Sequence, residues 1–267
     1  MFRKKELLKV FLAVWKSMAY HSEKSLARRI RLAIREKGLV PVIRLGARRI
    51  FVFPILQFYY NKLKAPKKFV FLGKEYKYFY HARGCAWESE RTIEVPIIWN
   101  IVKDHKGKQI LEVGNVLSNY FKVDYDILDK YEIAKSVINE DVVSFNPNKK
   151  YDLIVSISTI EHVGWDETPR ESDKILRAIK NLQRLLAPGG KIVVTLPLGF
   201  NSDLDNLLKA GKIKFTNAHY LKRISANNDW KEASWEDVKD AKYGAPFLNA
   251  NAMLIGVIEN NSPIKQS

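Results

Sequence analysis

The chain has 267 residues, is 46% hydrophobic and carries one cysteine, Cys85, so it is long enough for one globular α/β domain plus an appendage and excludes an internal disulfide or a cysteine-spaced metal site. Its net charge of +16 is uneven: residues 1–80 hold 20 Lys+Arg against 4 Asp+Glu, and the rest hold 25 of each. A neutral body with a basic N-terminal arm points to an anionic partner, and the lone thiol fits a reducing, cytoplasmic setting.

The opening "MFRKKELLKVFLAVWKSMAY" has a basic lead, but Lys9 and Lys16 leave only six apolar residues, 10–15, between them, too few for a signal core. Residues 1–66 are expected to form a basic, amphipathic helical region. Within it Leu26, Ile30 and Ile34 recur at helical spacing, and Gly38 stops the pattern. The apolar run Ile50–Tyr60 has eleven residues broken by Pro54. A spanning helix needs roughly 20, so no membrane span is expected. Two uses of the arm stay open: a helical cap with solvated charges, or an interfacial region whose aromatics enter lipid while arginines meet anionic headgroups at the inner face of a membrane. Nucleic acid is the less favoured partner, since the arm lacks the aromatic pattern of an RNA-binding sheet.

A main domain is expected over 67–260, followed by a tail, 261–267. Aromatics flank Gly73 in Lys68–Ile98, which reads as a β-hairpin. "ERTIEVPII" then leads toward the first strand; Arg91 and Glu94, three apart, would share a face of a helix, where they could equally form a surface ion pair. From Gln109 strands and helices alternate. "KQILEV", "YDILDKY", "YDLIVSIS" and "KIVVTLPLG" read as strands. "RESDKILRAIKNLQRLLAPGGK" is an amphipathic helix, ended by Pro188-Gly189-Gly190. "AHYLKRIS" and "NAMLIGVIE" are late strands. The expected fold is α/β: a Rossmann-like, mostly parallel sheet with helices on both faces, preceded by the basic helical arm.

Three acids follow three strands: Glu112, Asp129 and Asp141. Asp129 lies 17 residues beyond Glu112, near the spacing at which an acid on the neighbouring strand accepts from ribose hydroxyls. Asp124 and Asp126 compete for that role. Gly114 is followed by Asn115, Val116, Leu117 and Ser118, where a dinucleotide turn would carry more glycines so that backbone can approach a pyrophosphate. A cofactor without phosphate does not need that approach.

Residues Ile110–Ser118 resemble the first motif of the class I S-adenosylmethionine-dependent methyltransferases. "YDLIVSISTIEHVGWDE" (Tyr151–Glu167) resembles their fourth-strand motif, and "NLQRLLAPGGKIVVTLPLG" (Asn181–Gly199) is similar to the helix, turn and strand that follow. Val116 and Ser118 depart from the family's glycines.

The resemblance implies S-adenosylmethionine as cofactor. Gly114 and Asn115 would lie against its methionine portion, supported by Glu112. Asp129 would hold the ribose. Asp141 would face the adenine amino group, with Val142 beside the ring. Ser156, Ser158 and Thr159 would border the cofactor, and Arg91 and Glu94 would meet its carboxylate and amine.

Glu161, His162 and Asp166 are the candidate catalytic residues, with His162 able to take a proton from a hydroxyl acceptor. Its rival reading is helix-start packing. Trp165 either stacks on a sugar or walls the pocket, and Asp152 is expected to be structural. No metal site is expected. The chain also resembles methyltransferase-like proteins found among cell-surface polysaccharide enzymes. That implies O-methylation of a sugar on a lipid-linked or cell-surface glycan, the acceptor being a glycan or another small molecule. The alternatives are a degenerate methyltransferase-fold scaffold at a membrane or other anionic surface, and an RNA methyltransferase.

Overall fold

The computed structural model describes residues 52–64, 67–81 and 83–260, with the isolated positions 35 and 38. The Leu26–Ile34 pattern, most of the basic arm and the 261–267 tail lie outside the described residues. Helix α1 (Phe53–Phe58) continues as a wider helical turn, Tyr59–Lys64. A two-stranded hairpin follows, β1 (Lys68–Phe71) and β2 (Lys74–Lys77). Leu72 and Gly73 turn it with φ of 51° and 72°, the left-handed pair that matches strand twist in a two-residue loop.

The main sheet has eight strands: β3 (Ile110–Val113), β4 (Asp126–Leu128), β5 (Val137–Ile138), β6 (Tyr151–Ile157), β7 (Leu186–Pro197), β8 (Asn217–Arg223), β9 (Trp230–Ala233) and β10 (Ala252–Glu259). Their order is β5-β4-β3-β6-β7-β10-β8-β9. Neighbours from β5 through β7 are parallel, while β10 runs antiparallel to both β7 and β8. Strand order reverses between β3 and β6, and open α/β sheets bind ligands at the carboxyl ends of strands beside such a reversal.

Both faces are covered, by different means. On one face α3 (Lys174–Arg184) and α4 (Ser202–Lys209) flank a core that includes Ile154, Ile175, Leu182, Ile192, Leu196 and Leu204. On the other, α2 (Arg91–Asp104) and the hairpin supply Ile93, Ile97, Phe69 and Phe71, which meet Leu153, Val155 and Ile157 of β6. The link from β3 to β4 contains no α-helix; residues 114–125 hold only a single tight turn, Leu117–Asn119. Aromatic packing occupies that flank, including Trp99 stacked on Phe121 at 4.1 Å. A short helix, α5 (Trp235–Val238), opens with a Ser234–Asp237 capping box.

One boundary differs from expectation. Helix α3 ends at Arg184, and Pro188-Gly189-Gly190 belongs to β7 rather than to the helix stop. Tyr151 pairs with Leu186 but Leu153 pairs with Lys191, so the intervening residues bulge from the ladder. Gly190 is required there because a Cβ would come within 2.7 Å of the Tyr151 carbonyl.

Candidate active site

A cavity of about 530 Å³ opens at the carboxyl ends of β3, β4 and β6, within the range of small-molecule sites. Ten of the residues expected from sequence line it: Arg91, Gly114, Asn115, Asp129, Asp141, Val142, Ser158, Thr159, His162 and Asp166. Glu94, Glu112, Ser156 and Glu161 stand behind the wall, each no more than 1% exposed.

The turn after β3 is built around Glu112. Its Oε1 accepts from the backbone amides of Val116 and Leu117, both at 2.8 Å, and its Oε2 accepts from the Tyr125 hydroxyl at 2.9 Å. Burial pushes the Glu112 carboxyl up to about 7, against the pull of those amides and that hydroxyl. Glu112 is therefore a brace for the turn and does not face the cavity. The Gly114 amide donates to the Leu128 carbonyl at 2.8 Å. Three amides that a phosphate would need are thus committed inside the protein.

Gly114 adopts φ 85°, and a Cβ there would approach Thr159 Cγ2 to 2.6 Å, so glycine keeps this part of the cavity floor open. Ser118, where the family has glycine, donates its hydroxyl to Asn115 Oδ1. Asn115 Nδ2 in turn donates to Glu132 Oε1 at 2.9 Å. Val116 is buried in the core and also lines the cavity.

Asp129 follows β4 directly. Its Oδ1 accepts from the amides of Tyr131 and Glu132 at 2.8 Å each, holding the acid at the strand tip. Asp126 sits at the opposite end of β4, bound by the Tyr151 hydroxyl (2.7 Å) and Lys149 (2.6 Å). Asp124 is not among the lining residues either, so Asp129 is the one of the three at the cavity. Glu132, absent from the sequence reading, also lines it. Asp152 accepts from the Gln109 amide at 2.8 Å, a structural role as expected.

Asp141 is more constrained than the sequence implied. Lys174 reaches its Oδ2 at 2.7 Å and Lys130 at 2.9 Å, and both lysines also pair with Glu167. Burial alone would raise the Asp141 carboxyl, but Lys174, the Val143 amide and Lys130 hold it at about 2. Asp141 therefore meets the cavity as the anchor of a four-residue ion network. Neither lysine carries a sequence signal for this: Lys174 lies 33 residues away on α3.

At the tip of β6, Ser158 has φ 38°, an uncommon conformation for a non-glycine residue. It is over-determined. Its amide donates to Thr195 Oγ1 at 3.0 Å, and its hydroxyl donates to Glu94 Oε1. Glu94 also accepts from Thr195 Oγ1 at 2.5 Å and from Arg91 at 3.0 Å. Arg91 donates further to the Ile157 carbonyl at 3.1 Å. Glu94 thus fixes Arg91 at the cavity rather than touching a ligand. Ser156 is buried and is not among the residues lining the cavity, and its hydroxyl has no hydrogen-bond partner among the described residues.

His162 stands at the rim with Nδ1 2.5 Å from Asp166 Oδ2. The edge of Phe200 meets its ring at 4.8 Å, and Tyr243 meets Phe200 at 5.2 Å. Glu161 lies inward, 3.7 Å from His162 Nε2. Burial, reinforced by Glu94 and Glu90, holds its carboxyl well above the ordinary range. Arg170 covers one face of the Trp165 ring at 3.4 Å, and Trp165 is not among the residues lining the cavity; Phe200 is the aromatic against His162, with Tyr243 behind it.

Residues 103–234, just under half of the chain, match the family model described as a methyltransferase domain. No curated protein matches the chain significantly. Among solved structures, the N-methyltransferase NodS from Bradyrhizobium japonicum WM9, in complex with S-adenosylhomocysteine, is 15% identical, with 65% of this chain and 88% of that one aligned and a TM-score of 0.40. The sugar N-methyltransferase KedS8 from Streptoalloteichus sp ATCC 53650 is 11% identical over 62% of this chain and 86% of that one, with a TM-score of 0.32. Likenesses this remote carry nothing about acceptor or reaction. Sheet order shows a Rossmann-like fold, residues 103–234 within it match a methyltransferase domain, and the committed amides of the glycine turn agree with a cofactor that, like S-adenosylmethionine, brings no phosphate.

Proposed function

We propose that the chain methylates a sugar hydroxyl of a lipid-linked or cell-surface glycan, with His162 as the general base. S-adenosylmethionine, when bound, supplies an already activated methyl group, so the protein's work is alignment and proton removal. The observation that carries the reading is the Asp166–His162 pair at the cavity rim. Asp166 fixes Nδ1, which leaves Nε2 as the ring's other nitrogen for the acceptor proton. Phe200 beside it, backed by Tyr243, offers an aromatic surface suited to the apolar face of a sugar ring.

The lining residues supply the cofactor-facing groups of this reading. Gly114 and Asn115 form the floor under the methionine portion, and Arg91, steadied by Glu94, is the cation for its carboxylate. Asp129 and Glu132 present carboxylates toward the ribose, and Val142 and the Asp141 network bound the adenine end.

A second reading is favoured by one feature. Carboxylates outnumber cations among the residues that line the cavity, Glu140 and Asp166 among them, and such a surround suits an amine acceptor, as on an amino sugar, better than it suits a hydroxyl alone.

The test is methyl transfer from labelled S-adenosylmethionine into a lipid-linked oligosaccharide fraction, with free amino sugars in parallel. Label in an alkali-stable sugar ether, lost in His162→Gln while S-adenosylhomocysteine still binds, is the expected result. Label confined to amines would replace the hydroxyl reading with the second one. Transfer undiminished in His162→Gln would remove the base assignment.

A further inference from the structure

Helix α1 and its continuation to Lys64 are anchored from one side. Leu56 and Tyr60 pack onto the hairpin-side core. Tyr60 stacks on Trp87 at 5.7 Å with planes 5° apart and leans on Tyr80 at 4.9 Å. The side away from the core is where a water-facing helix is normally polar. Here it carries Val52, Ile55, Phe58 and Tyr59, with Ile55 68% and Phe58 64% exposed. Among the described residues ten large hydrophobic side chains are exposed, and four of them fall within these eight positions. The concentration is local and not a scatter of single surface residues.

Two further exposed apolar residues gather around the same corner. Arg223 lies close enough to Tyr60 for its charge to act on the phenol. It donates to the Leu248 carbonyl at 2.6 Å, and its own chain neighbour is Ile224. Leu248 is 69% exposed and Ile224 51%.

Charge identifies the occupant. Residues 1–51, which lead directly into this face, hold 14 Lys+Arg against 3 Asp+Glu, and Lys62, Lys64, Lys67 and Lys68 follow it. An apolar helix face bracketed by basic segments is the pattern of an element lying in the headgroup plane of an anionic bilayer. A partner copy of this chain would bring the same sign of charge to the contact and be repelled.

We propose that Val52, Ile55, Phe58 and Tyr59, flanked by the basic segments, dock this chain on an anionic membrane surface. The apolar side chains enter the boundary between headgroups and acyl chains, and the lysines and arginines hold the anionic headgroups. The inference does not depend on which acceptor is methylated.

The experiment is co-flotation of the full chain with vesicles of phosphatidylcholine mixed with phosphatidylglycerol, and with vesicles of phosphatidylcholine alone. The expected result is binding to the anionic vesicles only, weakened by salt. It should fall by on the order of tenfold in the double variant Ile55→Glu/Phe58→Glu. Both positions are exposed, so the variant keeps its fold, and unchanged far-ultraviolet dichroism and unchanged S-adenosylhomocysteine affinity establish that. No binding to anionic vesicles would overturn the proposal. So would equal binding by the double variant, which would leave charge alone as the cause. A wild-type dimer in light scattering that the double variant abolishes would also overturn it, by showing that a second copy covers the face.

Discussion

Glu94 offers the sharpest test of how the site is held. Its carboxylate is fully buried and takes three donors: the Ser158 hydroxyl, the Thr195 hydroxyl at 2.5 Å and Arg91 at 3.0 Å. Glu94→Ala removes the acceptor of all three donors at once and leaves the Arg91 guanidinium, only 21% exposed, bonded to the Ile157 carbonyl. Breaking a buried ion pair from one side costs about 3–5 kcal/mol. For a chain of this size that is roughly 6–20 °C in Tm. Glu94→Gln keeps the shape and one acceptor oxygen but not the charge, so its cost should be smaller, about 1–3 kcal/mol. Ser158, held at φ 38° by this same carboxylate, should relax in both variants, and S-adenosylhomocysteine affinity should fall with it. Urea unfolding followed by tryptophan fluorescence gives the stabilities, and calorimetry gives the affinity. An Ala variant within about 1 kcal/mol of wild type would refute the claim that this pair is load-sharing, since surface substitutions alone cause shifts of that size.

Three other outcomes are expected. Gly114→Ala places a Cβ against Thr159 at φ 85°, so cofactor affinity should drop by about an order of magnitude with a stability loss of about 1–3 kcal/mol; calorimetry and thermal melts measure both. Glu112 is raised from 4.5 to about 7 on folding. Its stabilising contribution is therefore complete below the unfolded value and lost as pH rises through about 7, a change on the order of 3 kcal/mol. Urea midpoints at several pH values should show that slope in wild type and its absence in Glu112→Gln; parallel curves would contradict it. Asp166→Asn should lower the rate of methyl transfer by about 10²-fold or more, the usual worth of positioned proton removal, while S-adenosylhomocysteine titrations stay unchanged.

Much of the site was legible because strand tips leave a strong trace. Glu112, Asp129 and the Tyr151-Asp152 opening of β6 are fixed by short apolar runs ending in acids, and the mostly parallel sheet follows from the succession of buried strands; its order does not. What Glu112 does was not legible: its bonds to the Val116 and Leu117 amides depend on how the turn curls back, which spacing cannot specify. The same holds for Asp141, whose partners Lys130 and Lys174 come from two different elements. The Pro-Gly-Gly stretch misled for a local reason. Those residues favour a helix stop, but Leu186 had already joined the sheet, and the glycines serve a bulge. The cation over one face of Trp165, Arg170, lies five residues on and left no trace in the sequence.

The central claim is that the turn Gly114–Ser118 and the acid after β4 hold a cofactor that brings no phosphate. The most direct measurement is calorimetric titration of the full chain with S-adenosylhomocysteine and, separately, with NADH, repeated on Asp129→Asn, which keeps an oxygen for the Tyr131 and Glu132 amides. The account predicts micromolar binding of S-adenosylhomocysteine, none of NADH, and a loss of about tenfold or more in the variant, as expected for removing a charged hydrogen-bond acceptor. Binding of NADH, or no binding of S-adenosylhomocysteine by the folded wild-type chain, would contradict it.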